Sequence, residues 1–278
     1  MKFVKLRTRK VIILAVLFVL LLGVGAYMAA RPEADLGNNG SDDQPTSTTD
    51  LPPSEAPRQV AEPKTTRIIA TGDTIGHDSL NENAKTTQGY DYLKFMDQMS
   101  PILSTGDIRF CNQSTLIGGD SFPITGYPSF NAPEQLARDL VGAGCNLINT
   151  ASNHSSDKSQ AVIDANVDIW AKQTDVLGVV GQNSSLQQQN VIRYFEVDGL
   201  QYAFLAYTTY SNSPAPHDYS VNMYNRAFAQ NQINTAKDAG AEFIIVSMRW
   251  GVEYSQGVSA TQRAEAQFLA DAGVSLVL

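Results

Sequence analysis

The sequence predicts a mixed α/β domain over residues 67–278, preceded by a membrane anchor and a linker. Two observations predict the domain. Short apolar segments alternate with amphipathic helical segments, and one Asp-Gly pair separates two apolar segments as in a hairpin. Alternation of this kind is typical of layered α/β folds. A third observation, a long apolar run near the N-terminus, predicts the anchor.

The N-terminal anchor is predicted from hydropathy and charge. Residues 1–10 form a basic cytoplasmic flank with five Lys and Arg side chains, and residues 11–30 are uncharged and mostly apolar. As a helix, such a run spans about 30 Å, the hydrocarbon thickness of a bilayer. A cleaved signal peptide has a shorter apolar region and an A-x-A-like site, which residues 26–30 match poorly. We therefore expect a single-pass protein of the cell membrane with its C-terminal domain outside the cytoplasm.

Residues 31–66 predict a disordered linker. They hold six of the chain's twelve prolines among Asp, Glu, Ser and Thr. Few apolar side chains are present to offset the entropy of ordering this segment, so we expect a flexible tether between membrane and domain.

Charge and cysteine content exclude two classes of protein. Beyond residue 30 the chain has 15 basic and 28 acidic side chains, and this acidic balance disfavours binding to nucleic acid. Two cysteines exclude a disulfide-built scaffold. Their spacing does not decide whether Cys111 and Cys145 pair, and both lie in apolar, strand-like segments where free buried cysteines are common.

The predicted elements of the domain are short. Gly142 and Gly144 end the first helix, and Asp198-Gly199 predicts the hairpin turn. The predicted strands are 67–71, 107–112, 146–151, 176–180, 191–197, 202–207, 243–248 and 274–278, and the predicted helices are 133–141, 158–174, 222–239 and 260–272.

Polar side chains with metal-ligand chemistry follow several of these strands. Carboxylate, amide and imidazole groups brought together from successive loops suit a divalent or dinuclear metal centre, which in hydrolysis activates a bound water. Taken singly, Gly-Asp is more often a plain turn and Asn-His a hydrogen-bonded loop. The candidates are Asp73 and His77 after the first strand, Asn112 and Gln113 after the second, Asn153, His154 and Asp157 after the third, and Arg249, Trp250 and Glu253 after strand 243–248.

Two of these residues have open roles. Asp157 either orients His154 through its ring N–H or caps the helix predicted from about residue 158, and the two roles are compatible. Glu253 is either a partner of a site residue or a surface acid.

The motifs together resemble the CapA-type capsule or poly-γ-glutamate synthesis proteins, whose domain is similar to the calcineurin-like metallophosphoesterases. The matching segments are 70–73, 107–113, 151–157, 246–254 and 272–278, in the family's order and approximate spacing. The resemblance implies a layered α/β/β/α sandwich. It also implies a divalent metal (Mn, Fe or Zn) on Asp73, His77, Asn112 and His154, with His154, Asp157, Arg249 and Glu253 as catalytic candidates.

The sequence departs from the family pattern at three places. Gln113 stands where the family has Glu, and Arg249 stands where it has His. A guanidinium has no lone pair for a metal, although it binds phosphate or carboxylate well. The family continues with a Gly-x-His-Pro-His-like loop after the segment at which this sequence stops, so we expect the domain to be truncated.

Two functions follow from these observations. The first is a membrane-anchored, surface-facing, metallophosphoesterase-like hydrolase or transferase that acts in the biosynthesis of capsule, poly-γ-glutamate or another envelope polymer. The second is a non-catalytic polymer-binding or scaffold subunit, which Gln113 and Arg249 favour because each removes a potential ligand. The expected partners are an anionic envelope polymer or its precursor, other subunits of a membrane synthesis complex, and the membrane through residues 11–30, with no nucleic acid.

Overall fold

The computed structural model describes residues 64–278. The predicted basic flank, the predicted anchor and the linker up to residue 63 lie outside the described residues. Within the described part, no helix is long and apolar enough to cross a bilayer.

Strands and helices alternate along the described chain, as the sequence predicts. The strands are β1 (Ile68–Thr74), β2 (Lys85–Thr86), β3 (Gly89–Tyr90), β4 (Ile108–Gln113), β5 (Leu147–Asn149), β6 (Gly178–Val180), β7 (Arg193–Val197), β8 (Leu200–Thr208), β9 (Phe243–Arg249) and β10 (Leu276–Val277). The helices are α1 (Asp78–Ala84), α2 (Ser100–Leu103), α3 (Gln135–Gly142), α4 (Gln160–Ala171), α5 (Leu186–Gln189), α6 (Arg226–Asp238) and α7 (Ala260–Asp271).

Eight of the strands form two four-stranded sheets. The first has the order β1-β4-β5-β6 and is parallel throughout. The second has the order β10-β9-β8-β7, in which β7 and β8 form an antiparallel hairpin and the other pairs are parallel. Asp198 and Gly199 both have positive φ, at 52° and 72°, as a two-residue hairpin turn requires. The predicted hairpin is confirmed, as is a mixed α/β fold with parallel sheets.

The two sheets bury one face against each other and the other face under helices. Phe110 of the first sheet meets Phe204 of the second edge to face, with ring centroids 6.2 Å apart, inside a shared core. Helices α3 and α4 cover the outer face of the first sheet, and α6 and α7 cover that of the second. The layers are therefore helix, sheet, sheet and helix, and both helix pairs bury an apolar stripe.

Several parts of the fold differ from the sequence expectation, among them the short helix α5, which the sequence did not predict. The segment between the first two strands of the first sheet contains α1, the β2–β3 hairpin and α2, none of which the sequence predicted. Helix α6 begins at Arg226 rather than near residue 222. The Asn225 side chain accepts from the backbone N–H of Phe228 at 2.9 Å and so caps this helix.

The two cysteines form a disulfide, with the sulfur atoms 2.01 Å apart and the Cα atoms 5.8 Å apart. It joins β4 to the turn between α3 and β5. Both residues are buried, Cys111 fully and Cys145 to within 1%. Of the two alternatives that the sequence left open, the structure shows the paired one.

Removing the disulfide is expected to lower the free energy of unfolding by about 3–4 kcal/mol, since it closes a loop whose ends are 34 residues apart. The measurement is urea unfolding of the full-length protein against a Cys111→Ala/Cys145→Ala variant. Reductant should destabilise the wild type alone. Equal midpoints for wild type and variant under oxidising conditions would contradict the prediction.

Candidate functional site

A cleft of about 190 Å³ lies at the carboxyl ends of β1, β4 and β5 of the first sheet and of β9 of the second. The first sheet contributes Asp73 from β1, Asn112 from β4 and Asn149 from β5. The second sheet contributes Arg249 from the end of β9. Ligand sites of open α/β sheets form at such strand ends, so this cleft is the candidate site.

Asp73 is at the centre of this cleft. A register shift in β1 between Ala70 and Asp73 places Asp73 beside Asn112 of β4. Irregularities of this kind re-aim a side chain at the end of a strand. One oxygen of Asp73 accepts a hydrogen bond from the amide nitrogen of Asn112. The other oxygen lies 3.5 Å from Nη1 of Arg249, so an ion pair bridges the two sheets.

A chain of amides fixes which end of Asn112 faces Asp73. The carbonyl oxygen of the Asn149 side chain accepts from the Ala151 backbone N–H at 2.7 Å. The Asn149 amide nitrogen therefore donates to Asn112 Oδ1, also at 2.7 Å. Because its oxygen is used in this way, Asn112 presents its N–H₂ group, and not its oxygen, to Asp73.

Arg249 is partly exposed and contacts three further residues around the cleft. Its Nε donates to Asn153 Oδ1 at 3.0 Å, and its Nη2 lies 4.0 Å from Glu253 Oε1. Its guanidinium carbon lies 5.9 Å from the centroid of the Tyr210 ring. Burial raises the pKa of the Tyr210 hydroxyl, and the neighbouring guanidinium partly opposes this shift.

Glu253 is a partner of a site residue, which decides between its two possible roles. In addition to Arg249, it accepts from Asn153 Nδ2 at 3.3 Å and from the Tyr210 hydroxyl at 3.5 Å.

His154 and Asp157 form a dyad beside the cleft. His154 Nδ1 lies 2.8 Å from Asp157 Oδ2, and the Asp157 side chain is fully buried. On its other side, His154 Nε2 lies 3.0 Å from the amide nitrogen of Asn212. The amide donates to Nε2, so the proton is assigned to Nδ1. Asp157 orients His154, and α4 begins after Ser159 with no side-chain cap.

His77 takes a different position from the other candidate ligands. It stands at the N-terminus of α1, exposed, with its ring 6.0 Å from that of Phe130. The Phe130 ring is in turn 4.7 Å from the His154 ring. Among the residues that line the cleft around Asp73, His77 is absent.

Gln113 points away from the cleft. Neighbouring residues of a strand face opposite sides, so Gln113 lies on the outer face of the first sheet while Asn112 lines the cleft. Its amide nitrogen donates to Asn166 Oδ1 at 2.9 Å, and its oxygen accepts from the Trp170 indole N–H. Gln113 in place of the family's Glu is therefore a change in the core under α4. It does not remove a carboxylate from the cleft.

The residues between 64 and 278 do not fit the predicted metal centre. Asp73 is neutralised by Arg249, Asn112 offers a donor rather than a lone pair, and both ring nitrogens of His154 have partners. Within this range no three His, Cys, Asp or Glu side chains are grouped so that they could hold a metal ion. The positive charge that faces Asp73 is the Arg249 guanidinium.

Three residues of this region are not among the candidates that the sequence analysis named: Asn149, Tyr210 and Asn212. Asn149 is the last residue of the observed strand β5, whereas the predicted strand extended to residue 151 and so placed Asn149 in its interior. Tyr210 and Asn212 lie in an irregular loop whose sequence has no comparable pattern. They are brought to Arg249 and His154 only by the tertiary fold.

The model of the bacterial capsule synthesis protein family, PGA_cap, matches residues 67–278. The chain belongs to this family. A similar protein is the capsule biosynthesis protein CapA of Bacillus anthracis. It is 27% identical over 157 residues, which are 53% of this chain and 37% of that protein. The chain thus spans less than two thirds of this relative. A similar solved structure is Haemophilus influenzae NAD nucleotidase, with a TM-score of 0.37 and 15% identity over 61% of this chain and 34% of that one.

In this PGA_cap protein, restoring the family's Glu by Gln113→Glu is expected to destabilise the fold by about 1–3 kcal/mol at neutral pH. The new carboxylate would face the Asn166 and Thr115 oxygens that now accept from the Gln113 amide. Burial would raise its pKa in the folded state. The loss should therefore be present at neutral pH and shrink as the pH falls through that raised pKa.

The measurement is urea unfolding of the full-length variant at several pH values. Gln187→Glu on the exposed surface of α5 is the matched control and should leave stability nearly unchanged. A Gln113→Glu protein as stable as wild type at neutral pH would contradict the core role.

Proposed function

We propose that the protein is a membrane-anchored, extracytoplasmic component of capsule biosynthesis that binds an anionic envelope polymer, such as poly-γ-glutamate, as a scaffold subunit. Membership of the bacterial capsule synthesis family supports the process. The observation that carries the non-catalytic, scaffold role is the Arg249–Asp73 pair, because Arg249 meets the charge of Asp73 that a metal ion would meet in a hydrolase.

Two observations support the location. The five basic residues before the apolar run at 11–30 favour retention of the N-terminus in the cytoplasm, with the domain outside. The Cys111–Cys145 disulfide agrees with this orientation, since structural disulfides persist in oxidising compartments.

A metal-dependent, phosphoesterase-like hydrolase is the second candidate. It is favoured by the convergence of Asp73, Asn112 and Asn149 at strand ends, and by the His154–Asp157 dyad beside them. In this role the oriented His154 would accept or donate a proton at Nε2 once Asn212 moves aside. Mn, Fe or Zn would require ligands in addition to those in the described range.

The test is complementation of a deletion strain. Loss of the gene is expected to remove most of the surface polymer, and the full-length wild-type chain should restore it. Asp73→Asn should also restore it, because Asn keeps the oxygen that accepts from Asn112 and a scaffold needs no catalytic carboxylate.

Membrane protein amounts, measured by immunoblot, must be equal in the complemented strains. Unchanged polymer in the deletion strain would refute the role in biosynthesis. Failure of Asp73→Asn at equal protein amounts would refute the scaffold role and favour the hydrolase.

A further inference from the structure

We propose that a second cavity, beside the edge strand β6, binds a carboxylate-bearing unit and that Arg193 holds the carboxylate. The identification of that unit with part of an envelope polymer rests on the proposed function. The carboxylate site itself rests on the structure alone.

The cavity has a volume of about 400 Å³ and lies between α4, β6 and the start of β7. This size is within the range of small-molecule sites. Its inner wall contains the buried side chains of Asn166, Trp170 and Gln182, and its rim contains Gln188 and Arg193. It is separate from the cleft around Asp73, with which it shares no lining residue.

Arg193 is fixed in place at the rim. Its Nε donates to the backbone carbonyl of Leu177 at 2.6 Å. Its aliphatic stem crosses Gly178 so closely that a Cβ at Gly178 would lie 2.5 Å from Arg193 Cγ. The two terminal nitrogens of Arg193 make no hydrogen bond or ion pair with any residue between 64 and 278. Nε and the stem are therefore anchored, while the part of the guanidinium that binds a carboxylate by two parallel hydrogen bonds remains available.

Charge decides which of the two sites suits an anion. The cleft contains Asp73, and Glu253 also lies against Arg249, so two carboxylates surround one guanidinium. The cavity has Arg193 and no Asp or Glu in its lining, although acids outnumber bases 28 to 20 in the whole chain. An anionic group is therefore attracted to the cavity and disfavoured in the cleft.

The rest of the lining offers donors to a polar ligand. Asn166 Nδ2 donates to Gln182 Oε1 at 2.6 Å, and Gln182 Nε2 donates to the Ser155 backbone carbonyl at 2.7 Å, so these buried amides form a fixed wall. Thr150 Oγ1 accepts from the Gln182 backbone N–H at 2.9 Å, and its own O–H has no acceptor within the described chain. Gln188 uses its oxygen to accept from Ser184 N–H, and its amide nitrogen has no partner in the same range.

These groups select a compact ligand with one carboxylate and several carbonyl or hydroxyl oxygens. Two chemical sources have that composition: a γ-linked glutamyl unit of a peptide polymer and a uronic acid of a polysaccharide.

The test is calorimetric titration of the full-length protein in neutral detergent with two probes, γ-glutamylglutamate and glucuronic acid. Glucose and the N-acetylated dipeptide with all carboxylates amidated are the uncharged counterparts. We expect one acid to bind, with its identity assigning the source, and the uncharged counterparts to bind much more weakly. Arg193→Ala should weaken binding of the acid by about tenfold or more.

Two further variants separate lost binding from lost folding. Arg263→Ala removes another exposed arginine, on α7, and should leave affinity unchanged. Gly178→Ala keeps every charge but displaces the Arg193 stem, and should weaken binding as well. Thermal unfolding checks that each variant is folded.

Absence of binding of either acid to the wild type, or equal affinities for wild type and Arg193→Ala, would overturn the proposal. Either result can occur while the deletion strain still lacks polymer, so failure of the cavity site is distinguishable from failure of the proposed function.

Discussion

The shared core between the two sheets sets the geometry of everything described above. Phe110 and Leu147 of the first sheet and Phe204 and Ile245 of the second are buried in it. Burial of one such side chain contributes about 1.5–3 kcal/mol, whereas a partly exposed ion pair contributes about 1 kcal/mol or less. Sheet packing therefore brings Asp73 to Arg249, and the ion pair between them is a consequence of that packing.

Once the sheets are fixed, the chemistry of the cleft depends on hydrogen-bond direction. The Ala151 backbone N–H orients Asn149, Asn149 orients Asn112, and Asn112 then donates to Asp73. The carboxylate thus has an amide on one side and a guanidinium on the other. This arrangement satisfies a partly exposed carboxylate without any additional cation. The cleft, with its carboxylates, also differs in charge from the cavity at Arg193, whose lining has no Asp or Glu.

Much of the fold could be predicted from the sequence, because it depends on local patterns. The Asp198-Gly199 turn and strand β4, predicted over 107–112 and observed over Ile108–Gln113, are specified by residues adjacent in the chain. The segment from α1 to α2 has no strong apolar period, so its short elements were missed. Cysteine spacing has no information on pairing, since the 5.8 Å approach of Cys111 and Cys145 is produced by strand and helix packing.

Several residues of the candidate site could be predicted from the sequence, whereas the contacts between them could not. Strand ends indicated Asp73, Asn112 and Arg249, and the structure brings these three residues together in the cleft. Strand alternation already places Gln113 opposite Asn112, and that parity argument would have removed it from the site. The position of His77 depends on α1, which begins immediately after it and directs it towards Phe130. The hydrogen-bond direction of Asn112 depends on Asn149, a contact that a single sequence does not reveal.

The most direct test of the central claim, that Arg249 supplies the cation of the cleft, is the metal content of the 278-residue chain purified without chelator, combined with thermal unfolding in the presence and absence of EDTA. The account predicts no stoichiometric Mn, Fe or Zn and an unchanged unfolding temperature. Stoichiometric metal that is lost in Asp73→Asn, together with a lower unfolding temperature in EDTA, would contradict it.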